Sequence, residues 1–115
     1  MSSELRIERR QEPGAEVIEL HGDVSADGEA AIKDAYHEAV AADAGVVLFN
    51  LAGAAYINTS GISVLISVVM EAKQSGVTVV VAGASPHYRK VFDLVRFSSF
   101  VEMFDDEAAA LASLS

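Results

Sequence analysis

Leu5-Arg6-Ile7-Glu8-Arg9 alternates apolar and charged residues, the period of a strand with one face in water. Glu12-Pro13-Gly14 interrupts it, and Glu16-Val17-Ile18-Glu19-Leu20 follows as a second strand. So short a connection predicts an antiparallel hairpin, because a parallel pair needs a crossover of about a dozen residues or more. After Gly22 the period lengthens to that of a helix, with Ala30, Ala31, Ala35, Ala39 and Val40 recurring among Glu29, Lys33, Asp34, Glu38 and Asp43, and Ser25 or Asp27 as its cap. Val46-Val47-Leu48-Phe49 and Val77-Thr78-Val79-Val80-Val81-Ala82 are apolar runs that each follow a glycine. Such runs predict strands buried on both faces, in a sheet of parallel character with helices packed on it. Between them, a helix from about Ser60 to Gln74 turns Ile62, Leu65, Ile66 and Val69 toward the sheet. Pro86 suits the first turn of a third helix reaching about Val95. Val101-Glu102-Met103-Phe104 forms a last short strand, and Asp105 to Leu114 an Ala-rich closing helix with acids in its first turn. The expected class is α/β: a mixed sheet of four to five strands, antiparallel in its N-terminal hairpin and parallel in the remainder, covered by about four helices in one domain over 1–115.

Length and composition agree with this pattern. A chain of 115 residues is one domain's worth, and with 51% apolar and 22% charged residues it is too apolar for disorder. The net charge of −9 repels phosphate backbones and anionic lipid surfaces, so neither nucleic acid nor membrane is an expected partner. With no cysteine there is no disulfide, thiolate ligand or thiol nucleophile, which suits a reducing compartment. Met1 to Arg10 is charged and alternating, unlike a signal peptide, and the apolar stretch Ile57 to Met70 falls short of the roughly 20 residues that cross a bilayer. A cytoplasmic location is expected.

The most informative segment is Ala54-Ala55-Tyr56-Ile57-Asn58-Thr59-Ser60-Gly61-Ile62, which joins a buried strand to a buried helix. Asn58, Thr59 and Ser60 stand where that helix must begin. They suit capping of its free N–H groups, and they suit phosphorylation, since a helix N-terminus tolerates a phosphate of about −1.5 to −2 charge that a docked partner feels as repulsion. The two roles are compatible. Ser60, Ser63, Ser67, Glu71 and Gln74 recur at helical spacing and share one face, either simply solvated or a thin surface that a partner approaches closely. His21, His37 and His87 are far apart in sequence with no neighbouring ligand pattern, so no metal site is expected. Gly83-Ala84-Ser85-Pro86 reads as a turn, since it lacks the glycine pattern of a nucleotide loop. Ser60 is not in a Gly-x-Ser-x-Gly elbow. The residues thus imply neither cofactor nor enzymatic activity. A response-regulator receiver has similar length and acidity but needs an aspartate where Asn50 ends the third strand.

The run Val46-Val47-Leu48-Phe49-Asn50-Leu51-Ala52-Gly53 followed by Tyr56-Ile57-Asn58-Thr59-Ser60-Gly61-Ile62-Ser63-Val64-Leu65 resembles the STAS domain of anti-sigma factor antagonists. There a strand ending in Asp-Leu-Ser-Gly leads to Asp-Ser-Ser-Gly-Leu and a helix. His21-Gly22-Asp23-Val24 is similar to the Gly-x-Leu-Asp segment opening the family's first helix, and the element order matches over nearly the whole chain. The resemblance implies that Ser60, the hydroxyl before the glycine, is the phosphoacceptor, with Asn58, Thr59, Gly61, Ser63 and Ser67 in the motif or partner surface. Gly61 would leave the acceptor open, and β-branched Thr59 would suit an inward or capping role. The implied partners are a serine kinase that is also an anti-sigma factor, bound while Ser60 is unmodified and released on phosphorylation, and a serine phosphatase that reverses the step. Asn58 and Asn50 stand where the family pattern has acids. An alternative within the same family is a constitutive accessory subunit of a transport ATPase or other regulatory complex, docking through the same helix without phosphorylation.

Overall fold

The computed structural model describes residues 4–114; Met1 to Ser3, the start of the segment read as lacking a signal peptide, lie outside them. Strand β1 (Arg6–Glu12) and strand β2 (Ala15–Val24) form the expected antiparallel hairpin, with Glu12 opposite Ala15 and Gly14 at φ +91° in the turn. Helix α1 (Glu29–Ala41) follows a single 3-10 turn, and neither Ser25 nor Asp27 caps it: its N-cap is Gly28, which has no side chain. Strand β3 (Val46–Asn50) leads through a short turn to β4 (Ala54–Ile57), then helix α2 (Thr59–Ser75), strand β5 (Thr78–Ala82), helix α3 (Pro86–Leu94), strand β6 (Glu102–Phe104) and helix α4 (Glu107–Ser113). Caps account for several boundaries: Ser85 accepts from the Tyr88 N–H, Asp106 accepts from the Ala109 N–H, and Gly76 ends α2 at φ +74°.

The sheet runs β1-β2-β3-β5-β6, with every pair after the hairpin parallel. It holds six strands where four to five were expected, the addition being β4. β2 is long enough to serve two neighbours: Glu16 to Glu19 pair with β3, and after an irregularity at Gly22/Asp23 its last residues pair with β4. Two layers of side chains result. Ile18, Leu20, Val47, Phe49, Val79 and Val81 pack against α1, α2 and the aromatic pair Phe92 and Phe97. Val17, Leu48, Val80 and Ala82 turn to the other face, where Ala110 of α4 covers them. β3 and β5 are therefore buried on both sides, as their unbroken apolar runs require. Ile62, Leu65 and Val69 of α2 are buried and Ile66 partly so; Val64, Val68 and Ala72 are buried too, a wider arc than expected, because α1 packs beside α2. Among the described residues, no helix is long and apolar enough to cross a membrane.

Candidate functional site at the start of helix α2

β4 delivers the chain to the start of α2, and three backbone contacts fix it there. The Asn58 N–H donates to the Val24 carbonyl at 3.2 Å, the Asn58 side chain accepts from the Gly61 N–H at 2.8 Å, and the Ile57 N–H donates to the Tyr88 hydroxyl at 2.9 Å. Asn58 is thus the cap, and Thr59 and Ser60 form the exposed first turn of the helix. The inward or capping role expected of Thr59 is not seen. Among the described residues the Ser60 hydroxyl has no hydrogen-bond partner, so it is both exposed and uncommitted.

Gly61 does something other than open the way to Ser60. It is buried against the end of β2, and a Cβ there would lie 2.1 Å from the Val24 carbonyl oxygen. The glycine lets α2 begin in contact with β2, which is what pushes Thr59 and Ser60 outward. Ser63 is exposed and its hydroxyl donates to the Thr59 carbonyl at 3.2 Å; Ser67 is half-buried. The polar face then changes character. Glu71 meets His37 of α1 at 2.5 Å, which removes it from the free surface and leaves Ser60, Ser63 and Ser67 as a narrower face than the spacing implied.

On the far side of Asn58 a cleft of about 590 Å³ opens between the end of β2, the turn before α1, and Tyr56, with Asp23 and Asp27 in its wall. Tyr56 is 56% exposed. The sequence offered little warning of this cleft, because Asp27 reads as a cap candidate and Asp23 as part of a family-like segment, and neither reading brings Tyr56 beside them. Asn50 is held elsewhere: its amide donates to Glu107 of α4 at 3.0 Å and its carbonyl accepts from the Ala52 N–H at 2.9 Å. An aspartate at that position would set one carboxylate against another, so the amide fits its surroundings. Gly83, at φ +80°, packs against Ala52 and Asn50, and Ser85 caps α3, in keeping with a turn. His37 is engaged with Glu71, and His87 lies edge-on to Tyr88 at 4.9 Å. His21 differs from the sequence expectation: the hairpin places Glu8 and Glu19 beside it.

The fold is thus a mixed sheet with one face shielded by a short helix, and its second helix presents an uncommitted hydroxyl in its first turn. The chain belongs to the STAS domain family, whose model matches residues 6–110. Solved structures of similar fold include an anti-sigma factor antagonist from Mycobacterium paratuberculosis, with a TM-score of 0.83 at 15% identity over 96% of this chain and 94% of that one. The Bacillus cell fate determinant SpoIIAA in its phosphorylated form matches with a TM-score of 0.72 at 18% identity over 97% of this chain and 100% of that one. A sulfate transporter family protein from Wolinella succinogenes matches with a TM-score of 0.74 at 19% identity, over 91% and 88% of the two chains. No curated protein sequence matches the chain.

Proposed function

We propose that this protein is an anti-sigma factor antagonist in a partner-switching pathway, acting in the cytoplasm as a binding module and not as an enzyme. Unmodified, it binds a serine kinase that is also an anti-sigma factor; phosphorylated on Ser60, it lets go, and a serine phosphatase restores it. The observation that carries this reading is the exposed, unpartnered Ser60 hydroxyl in the first turn of α2, set there by the Asn58 cap and the Gly61 contact. A phosphate at Ser60 sits among the free N–H groups of a helix start, so the protein itself tolerates it. A partner docked over Ser60, Ser63 and Ser67 would have to desolvate a dianion and meet a protein already at −9. The anti-sigma factor antagonists among its structural neighbours support the reading.

Phosphopeptide mapping after incubation with the kinase captured by the unmodified protein tests it. Phosphate is expected on Ser60, Ser60→Ala should bind the kinase without taking up phosphate, and Ser60→Asp should stay folded yet bind poorly. Phosphate on Thr59 alone would move the switch by one residue. Phosphate on neither, with stable capture of a transport ATPase, would favour the constitutive-subunit reading, to which the sulfate transporter family neighbour lends support.

A further inference from the structure

We propose that Glu8, Glu19 and His21, half-buried or exposed on the hairpin, form a binding site for one zinc-type divalent cation. Residues 17, 19 and 21 of β2 point to the same face: Val17 is buried under α4, whereas Glu19 and His21 are only half-buried, with Glu19 joined to the start of α4 through Arg10. Glu8 is directly opposite Glu19 across the hairpin. Two like charges in register across an antiparallel pair disfavour the hairpin, and a cation between them reverses the sign of that interaction.

The geometry points to a transition metal rather than a diffuse counterion. His21 Nε2 lies 2.9 Å from Glu19 Oε1 and 3.6 Å from Glu8 Oε2, and one ligand atom from each of the three residues falls within 4.8 Å of the others. Zinc binds imidazole nitrogen and carboxylate oxygen at about 2.0–2.2 Å, which places tetrahedral ligand atoms about 3.3–3.5 Å apart. The two contacts of Nε2 bracket that separation. Three protein ligands leave a fourth position for water or an external group.

Neighbouring residues hold the ligands in place. Arg10 takes the other carboxylate oxygen of Glu19 at 2.7 Å and leaves Oε1 to face His21. The same guanidinium keeps Glu19 ionised, its pKa lowered first by this hydrogen bond. The His21 ring rests on Gly53, where a Cβ would lie 2.2 Å from Nδ1, so any other residue at 53 would push the ring away from the two carboxylates. Arg6 occupies the register position opposite His21, and Arg10 also meets Glu12 and Glu107, so that one guanidinium contacts three carboxylates beside the trio.

Calorimetric titration of the whole protein with zinc chloride in a non-chelating buffer tests this. One zinc per chain is expected, with a higher thermal unfolding midpoint that EDTA reverses. His21→Gln and Glu8→Gln should each weaken binding by about tenfold or more, since even outer-shell changes at metal sites cost about 10–100-fold. His37→Gln, which alters the other histidine–carboxylate pair, should leave the affinity unchanged. Cobalt(II) in place of zinc should give the intense visible bands of a four-coordinate ion, and His21→Gln should abolish them. Unaltered zinc affinity in His21→Gln, loss of binding in His37→Gln instead, or no binding up to millimolar zinc would each overturn the assignment.

Discussion

Gly61 and Asn58 together decide where Ser60 points. Asn58 supplies the acceptor for the Gly61 N–H, and Gly61 supplies the missing Cβ that lets Val24 approach. Gly61→Ala should therefore destabilise the protein by about 2 kcal/mol or more, as overpacking against a neighbour that cannot yield commonly does. The obstacle is backbone, so no rotamer change relieves it. Urea unfolding measures this, and a loss below about 0.5 kcal/mol would mean that β2 gives way easily. That Gly61 belongs to the motif was legible in the sequence; its reason was not, because the clash involves Val24, 37 positions earlier. Asn50 teaches the same lesson. As an isolated letter it looks like a lost acid, and only the packing of α4 shows that its amide is used in both directions.

Among the helices and strands, those with strong periodicity were legible and the weak one was not. β3, β5 and α2 follow from their apolar runs, whereas β4 is four residues long, half of them alanine and only Ile57 of them buried, so nothing in its pattern separates it from a loop. What makes it a strand is pairing with the far end of β2. For α2 the inward side is testable: Leu65, 2% exposed, should cost about 2–5 kcal/mol when replaced by alanine. The outward side is testable as well. Ser63→Arg should leave thermal unfolding nearly unchanged and weaken binding of the captured partner tenfold or more, about 1.4 kcal/mol. Equal affinity in the variant would make this face a solvated one. Glu71, further along the same stripe, reads as surface from spacing alone, and its contact with His37 depends on how α1 crosses α2, which spacing along one helix does not encode.

For the molecule as a whole, acid sensitivity should follow from the network around Arg10. Glu19 is held below the ordinary carboxylate value of 4.5, chiefly by its hydrogen bond from Arg10 and against the opposing effect of burial. A carboxyl whose folded pKa is depressed stabilises the fold above its unfolded value and loses that contribution as pH falls through the folded one. Stability should therefore decline below about pH 4.5, and Glu19→Gln should flatten that decline while lowering stability near neutrality. Urea midpoints across a pH series measure both. Unchanged acid dependence in the variant would place the sensitivity elsewhere. The same charged strand has a bearing on crowding. β1 forms one border of the main sheet and carries Arg6, Glu8, Arg9, Arg10 and Glu12, so a strand from another molecule laid along it would have to desolvate a row of charges. β6, at the opposite border, offers three residues of template. Borders built this way discourage edge-to-edge aggregation, so copies of the chain can accumulate without seeding one another.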